Sequence, residues 1–289
     1  MHHPRRGLSL RGAVARPGNF CPPGEGCRRL CTRVPGACYK RQRMRLFAIG
    51  DTHLPSTRNK DMDRFGWSEH PRPLQSAWDE QVRPDDVVIV AGDISWATRP
   101  TEVQEDLAWL DARPGRKVLL RGNHDYWWGD STAKLKKLFE PFASFVGFIQ
   151  NSAVQVGPYV IAGSRLWTTP EAPPMPGGEM GDETPKADYV EREVNRLGLS
   201  IADAKKREAA ATGPVIRVCA VHFPPLYSNG LETAFSRTIE PWQPKVCVYG
   251  HLHGPGIGAG FVGERAGVRY VLASCDAAGF APVLLHDGA

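Results

Sequence analysis

Five short apolar segments of the chain each lead into a side chain that can bind a metal ion or transfer a proton. Their length and β-branched content predict buried strands, and a glycine follows the apolar run in four of them. The residues delivered in this way are Asp51 and His53, Asp93, Asn123 with His124 and Asp125, His222, and His251 with His253. Ligands of open α/β sheets bind beyond the carboxyl ends of the strands. The pattern therefore predicts that these side chains meet at one edge of a sheet.

The densest segment is the stretch 119–128, with the sequence LLRGNHDYWW. Taken alone, this stretch is equally compatible with a turn that merely ends a strand, since Asn and Asp tolerate left-handed backbone geometry. The four further segments of the same kind favour a functional site.

Helices are predicted between the first strands because apolar residues recur there with helical spacing. They cover 74–82, 101–110 with Thr101 as N-cap, and 131–139 with Ser131 as N-cap. Strands that alternate with helices indicate β-α-β units and an α/β fold.

The character of the chain changes after residue 144. Three meandering strands are predicted at 145–149, 153–156 and 159–162, and further strands at 215–221, 245–249, 268–273 and 282–285. Residues 168–211 contain a loop rich in proline, glycine and acidic residues, followed by a charged amphipathic helix that is predicted to break around Gly198. We interpret this segment as a surface insertion or lid near the site.

The formal charge of +5 is unevenly distributed along the 289 residues. Residues 1–43 contain ten Arg or Lys and one acidic residue, a net of +9, which leaves −4 for residues 44–289. A nucleic-acid-binding domain is expected to carry a basic patch on its folded surface, so the charge argues against nucleic acid as a partner. No apolar run approaches the roughly 18 residues of a membrane span, and a soluble protein is predicted.

Residues 1–43 are rich in proline, glycine and arginine without periodicity, which predicts a disordered basic extension before a domain of residues 44–289. Met44 directly precedes the first strand and is hypothesised to be the physiological start, with the preceding segment an upstream extension; the alternative is an Arg-rich transit peptide. The four cysteines of the extension lack the paired spacing of zinc sites. Cys219, Cys247 and Cys275 lie in or beside apolar runs, which indicates buried thiols in a reducing, cytoplasmic compartment.

The candidate metal ligands are too many for one ion and suit two divalent metals that share a ligand. They are Asp51, His53, Asp93, Asn123, His222, His251 and His253. Burying these carboxylates and imidazoles together would be costly without metal. Because no thiolate takes part, manganese, iron or zinc are favoured.

In this order, the motifs Gly50-Asp51-x-His53, Gly92-Asp93, Gly122-Asn123-His124-Asp125, His222 and Gly250-His251-x-His253 resemble those of the calcineurin-like metallophosphoesterases. Each motif is short, but the joint match over about residues 44–254 is specific. The resemblance implies a two-layer β-sandwich flanked by α-helices, with a dinuclear metal site at the strand ends. It further implies that Asp51, His53, Asp93 and His253 hold one metal, that Asp93, Asn123, His222 and His251 hold the other, and that Asp93 bridges them.

The expected activity is metal-dependent hydrolysis of a phosphomonoester or phosphodiester. Two cations roughly 3.5 to 4 Å apart can lower the pKa of a shared water and provide a hydroxide nucleophile. His124 has no metal to bind in the matched pattern, so it is predicted to stabilise the transition state or to act as general acid, oriented by Asp125.

One difference from the motifs of this superfamily argues against the protein Ser/Thr phosphatases. Protein Ser/Thr phosphatases of this superfamily carry Asp-Arg-Gly soon after the second motif, whereas this chain has Asp93-Ile94-Ser95-Trp96 at that motif. A small phosphoester or a nucleotide is the favoured substrate. The alternatives are a nuclease, which needs an electropositive groove, and a non-catalytic scaffold, which should have lost ligands.

Aromatic and basic residues near the strand ends are candidates for substrate contacts. Trp96, Trp127, Trp128 and Trp167 either line a pocket or pack loops onto the sheet, and we expect Trp127 or Trp128, with Asn123, to contact the substrate. Arg121 and Arg165 either bind phosphate or face solvent.

Overall fold

The computed structural model describes residues 43–55, 62, 66–174 and 184–288. The predicted disorder of residues 1–42, and the cysteines of that segment, lie outside the described residues. So does part of the loop predicted within 168–186.

Eleven strands in the described part of the chain form two sheets. The first sheet contains, in spatial order, β11 (Val283–His286), β1 (Leu46–Ile49), β2 (Val87–Ala91), β3 (Arg116–Leu120) and β4 (Phe145–Ile149). The second contains β5 (Val154–Val156), β6 (Tyr159–Ser164), β7 (Ile216–Val221), β8 (Val246–Tyr249), β10 (Val268–Leu272) and β9 (Gly263–Arg265). Strands β1 to β4 are parallel, as are β6, β7, β8 and β10, while β11, β5 and β9 pair antiparallel with their neighbours. Four parallel strands of each sheet therefore end on the same side.

Helices cover the outer face of each sheet. They are α1 (Arg72–Gln81), α2 (Gln104–Asp111), α3 (Thr132–Phe139), α4 (Ala187–Ala210) and α5 (Ala234–Ile239). The first three pack on the first sheet, and the last two on the second.

Strand β1 shows why two cores form, because successive side chains of a strand point to opposite faces. Leu46 and Ala48 pack between the two sheets, whereas Phe47 and Ile49 pack against the helices of the first sheet. The resulting order of layers, helices, sheet, sheet and helices, confirms the predicted sandwich flanked by helices.

The predicted meander of strands is wrong in its pairing. Strand β4 pairs in parallel with β3 and closes the first sheet, whereas β5 and β6 form an antiparallel hairpin in the second sheet. The chain therefore crosses between the sheets after β4.

The start of α2 also differs from the prediction. The N-cap is Val103, not Thr101, because the preceding residues form a separate turn. In that turn the Glu102 carboxylate accepts hydrogen bonds from the backbone N–H groups of Thr98 and Arg99, at 3.0 and 3.1 Å. The predicted cap of α3 is confirmed, since the Ser131 side chain accepts from Lys134 N at 3.4 Å.

Helix α4 is continuous through Gly198, contrary to the predicted break. Its buried face, which includes Leu197, Ile201 and Ala204, packs on the second sheet, and this burial outweighs the roughly 1 kcal/mol that glycine costs in a helix. Residues 187–210 therefore form an integral layer of the fold and not a lid. No helix among the described residues combines the length and the apolar character needed to cross a bilayer.

Candidate metal centre

The loops that follow the parallel strands of both sheets are joined to one another by backbone hydrogen bonds. Asp51 N donates to Gly92 O at 2.8 Å, and His53 N donates to Asp93 O at 2.9 Å. In the second sheet, Gly250 N donates to His222 O at 3.0 Å. These bonds hold the predicted ligand residues at one edge of the sandwich.

Several of these residues have left-handed backbone conformations, which are uncommon for residues other than glycine. The φ angles are 56° for Asp51, 41° for His53, 50° for Asp93 and 72° for His251. Each costs of order 1–3 kcal/mol, and such strain clusters at functional sites.

Two glycines permit the close approach of the ligand loops. A Cβ atom on Gly122 would overlap Asp93 Oδ1, and one on Gly250 would overlap Asp51 Oδ2. Only glycine fits at these positions while both carboxylates keep their places.

Asp51, His53 and His253 form a first cluster, in which one ligand atom from each lies within 4.8 Å of the others. His253 Nε2 lies 3.3 Å from Asp51 Oδ1. Among the described residues, His253 Nε2 and His53 Nδ1 are buried and make no hydrogen bond of good geometry, although Asp51 Oδ1 lies near His253 Nε2. Buried polar atoms normally have partners, so the cluster fits a bound cation.

Asp51, Asp93 and His222 form a second cluster by the same distance criterion. His222 Nδ1 lies 2.9 Å from Ala91 O, and because a carbonyl can only accept, Nδ1 carries the proton. His222 Nε2 then faces Asp93 Oδ2 at 3.5 Å and Asn123 Oδ1 at 2.6 Å. This arrangement presents Nε2 as the ligand atom.

His251 joins the second cluster through Asn123. Its Nδ1 lies 3.1 Å from Asn123 Oδ1, and its backbone N–H donates to both carboxylate oxygens of Asp51 at 3.0 and 2.9 Å. The structure thus brings all seven predicted ligands together.

Asp93 lies at the middle of the imidazoles. Its Oδ2 is 3.8 Å from His53 Nε2, 3.5 Å from His222 Nε2 and 4.0 Å from His124 Nε2. Asp51 belongs to both the first and the second cluster. The family resemblance instead implies that Asp93 is the shared ligand.

A family model for calcineurin-like phosphoesterases matches residues 44–255 of the chain. This chain belongs to the calcineurin-like phosphoesterases. The motifs that carried the resemblance are therefore those of its own family.

Relatives match shorter segments of this calcineurin-like phosphoesterase. The gene 66 protein of Mycobacterium phage D29 is 42% identical over 76 residues, which are 26% of this chain and 37% of the phage protein. The gene 66 protein of Mycobacterium phage L5 is 42% identical over 77 residues, 27% of this chain and 35% of the phage protein. The chain spans little more than a third of the length of these relatives.

Solved structures are similar over most of the chain at low identity. Phosphopantetheinyl hydrolase from Mycobacterium tuberculosis is 20% identical with a TM-score of 0.47, over 81% of this chain and 89% of that one. A protein of unknown function from Aquifex aeolicus is 14% identical with a TM-score of 0.40, over 83% of this chain and 95% of that one.

The buried carboxylates and imidazoles in the centre of this calcineurin-like phosphoesterase shift one another's pKa values. Burial tends to raise the pKa of Asp93, but His222 and His53 outweigh burial and hold the pKa well below its usual value. Burial tends to lower the pKa of His222, but Asp93 outweighs it and the pKa rises to about 9. In the same way Asp51 and Asp276 raise the pKa of His253 to about 10 against the effect of burial, whereas burial lowers the pKa of His53 to about 3.

His124 lies on the solvent-open side of the centre, with 35% of its side chain exposed. Its backbone N–H donates to Asp93 Oδ1 at 2.8 Å, and its ring contacts Trp96 with the centroids 4.7 Å apart. The imidazole is thus fixed beside the ligands and is accessible to a substrate.

Asp125 does not orient His124 as expected from the sequence. Its buried carboxylate accepts hydrogen bonds from the backbone N–H groups of Ile94 and Gly122, at 2.9 and 2.8 Å, and from Trp127 Nε1 at 3.1 Å. Asp125 therefore ties the loop after β3 to the loop after β2.

The expectation for the tryptophans is also corrected. Trp127 and Trp128 are each 1% exposed and lie in the core under α3, so they offer no surface to a substrate. Trp96, for which the sequence allows either a pocket wall or a packing role, stacks on His53 with the ring centroids 4.4 Å apart. Trp67, which the sequence reading missed, lies edge-on to His253 at 5.4 Å.

Asp276 is a further site residue that the sequence reading missed. Its Oδ1 lies 3.0 Å from His253 Nδ1. The signal was present, because Asp276 follows strand β10 through Ser274 and Cys275, much as other site residues follow their strands.

Proposed function

We propose that this chain hydrolyses a phosphomonoester or phosphodiester of a small molecule or nucleotide with the aid of two divalent metal ions. The observation that carries the proposal is the position of Asp93, whose Oδ2 faces three imidazole Nε2 atoms within 4.0 Å. Asp93 would therefore help to hold both ions, together with the ligands His53 and His222 on either cluster.

The proposed ligands of one ion are Asp51, His53, Asp93 and His253, and those of the other are Asp93, Asn123, His222 and His251. When bound, the two ions would place positive charge beside the phosphate oxygens and lower the pKa of a water molecule. The ions proposed are manganese, iron or zinc.

Side chains of the protein supply orientation and a proton. Hydrolysis breaks a P–O bond, and the departing oxygen needs a proton. His124 is partly exposed beside Asp93, so we assign its imidazole as the group that protonates the leaving oxygen. The Trp96 indole stacked on His53 shields that side of the centre from water.

The test uses metal-stripped full-length protein that is resupplied separately with manganese, zinc, iron(II) or magnesium. Hydrolysis of p-nitrophenyl phosphate is compared with that of bis-p-nitrophenyl phosphate, and stripped protein without added metal is the control. We expect metal-dependent turnover, and the preferred substrate distinguishes a monoesterase from a diesterase. Absence of turnover in protein shown to hold two ions would instead support a non-catalytic scaffold.

A further inference from the structure

A pocket of about 130 Å³ lies at the carboxyl ends of β3, β4 and β6. Three arginines contribute to its lining: Arg121 after β3, Arg165 after β6 and Arg196 from α4. We call this cavity the arginine pocket.

The arginine pocket borders the metal centre. Arg121 is separated from Asn123 by one residue, and Asn123 Oδ1 lies 2.6 Å from His222 Nε2. The backbone of Arg165 is joined to the loop that carries His222, because its carbonyl accepts from the N–H of Phe223, the residue after His222, at 2.9 Å. The pocket therefore lies at the same strand ends as the ligands Asn123 and His222.

The charge of the pocket is positive on balance. The buried Glu193 carboxylate interacts with Arg196 at 2.7 Å and with Arg165 at 3.8 Å. Arg121 lies 3.3 Å from Asp130, but the Asp130 side chain is 87% exposed, and such surface pairs contribute little. One buried acidic residue therefore faces three arginines.

Two of the guanidinium groups have unused donors. Within the described ranges, Nε of Arg121 and Nε of Arg165 are buried and donate no hydrogen bond. Burial lowers the pKa of Arg165, and Arg121 and Arg196 lower it further against the opposing effect of Glu193. An anion in the pocket would satisfy the donors and relieve the repulsion, and guanidinium groups match the geometry of phosphate and carboxylate.

We propose that the arginine pocket binds a second anionic group of the substrate, a phosphate or a carboxylate, while the ester phosphate occupies the metal centre. This inference rests on the proposed function. It predicts that the preferred substrates are phosphoesters that carry a further anion, and that α4 takes part in selecting them through Arg196 and Glu193.

The experiment compares matched substrates that differ by one anion. Phosphoglycerate is compared with glycerol phosphate for an added carboxylate, and adenosine bisphosphate with adenosine monophosphate for an added phosphate. Because hydrogen bonds between charged groups are stronger than those between neutral groups, we expect the added anion to raise kcat/KM about tenfold or more, mainly through KM. Whichever pair shows the gain identifies the anion.

Arg121→Gln should abolish most of this gain, and Arg121→Lys should retain part of it, because lysine keeps the charge but not the bidentate geometry. Arg237→Gln is the matched control, since Arg237 on α5 forms an exposed ion pair at 3.8 Å with Glu232, which precedes that helix. Thermal unfolding of the Gln variants checks that both fold equally.

The outcomes separate the two proposals. If p-nitrophenyl phosphate is hydrolysed but neither added anion raises kcat/KM, the inference is overturned and the proposed function stands. If no monoester is hydrolysed, binding of inorganic phosphate to metal-stripped protein tests the pocket by itself, and the proposed function fails only if bis-p-nitrophenyl phosphate is not hydrolysed either. Weaker binding by Arg121→Gln than by Arg237→Gln would then support the pocket, and equal binding would overturn it.

Discussion

His253 and Asp276 lie in contact, with Nδ1 of the imidazole 3.0 Å from Oδ1 of the carboxylate. The second carboxylate oxygen accepts from Gly254 N at 2.8 Å, so Asp276 is itself held in place. The contact turns the other imidazole nitrogen, Nε2, towards Asp51 Oδ1. Carboxylates that hold a ligating histidine in this way fix its orientation and raise its basicity.

Asp276→Asn should therefore weaken metal binding by about 10- to 100-fold without unfolding the protein. Competition with a chromophoric chelator measures the affinity. Asp287→Asn, at an exposed position near the C-terminus, is the control for the same chemical change. Wild-type affinity in the Asp276 variant would show that the hydrogen bond does not support a ligand.

His124 and His251 should respond differently to truncation. His251→Ala should lose metal and activity together, as should Asp93→Asn. His124→Ala should keep its metal content and lose about 10²- to 10⁴-fold in turnover, most severely for substrates with poor leaving groups, because these depend most on protonation. Metal analysis beside a series of leaving groups checks both variants, and metal loss from His124→Ala would identify that residue as a ligand.

Gly122→Ala should displace Asp93, because the new Cβ atom would overlap Asp93 Oδ1 and Asp93 N. We expect a loss of about 1–3 kcal/mol in the free energy of unfolding, together with reduced metal occupancy. Gly129→Ala is the matched control, since a Cβ atom there meets nothing within 4 Å. Equal behaviour of the two variants would contradict the steric argument.

The ligands could be predicted from the sequence because each follows an apolar strand, and parallel strands of a sheet end on the same side. The sequence does not predict whether Trp127 and Trp128 point into the core or towards the site, because the loop after β3 lacks the periodicity that would indicate a buried face. Trp127 points into the core because its Nε1 donates to the buried Asp125. The pairing of Asp276 with His253 joins two loops of the second sheet, which no local pattern reveals.

The predicted break at Gly198 is wrong because the packing of α4 on the second sheet outweighs the low helix propensity of glycine. Since a Cβ atom on Gly198 meets nothing within 4 Å and its φ is not positive, Gly198→Ala should stabilise the protein by about 1 kcal/mol. Gly230→Ala is an opposing control, because its surroundings are equally open but its φ is +70°, and it should destabilise. Urea denaturation measures both, and a destabilised Gly198 variant would show that the helix needs the glycine.

Metal binding should release protons at neutral pH. The pKa values of about 9 for His222 and about 10 for His253 mean that both imidazoles are protonated at pH 7 in the metal-free protein. His53, with a pKa of about 3, is already neutral. Because ligating histidines must be neutral, metal affinity should rise as the pH increases from 6 towards 9.

Protonation of His222 and His253 stabilises the metal-free fold, because the pKa values of both imidazoles lie above the value of 6.5 in the unfolded chain. This contribution is fully present below pH 6.5 and is lost as the pH rises through 9 to 10. Chelator-treated protein should therefore melt at lower temperature at pH 9 than at pH 7, whereas the metal-loaded protein should not. Titration calorimetry in buffers of different ionisation enthalpy measures the protons released on metal binding, and we expect about two at pH 7. Release near zero would show that Asp93 and Asp51 do not hold these imidazoles in the charged form.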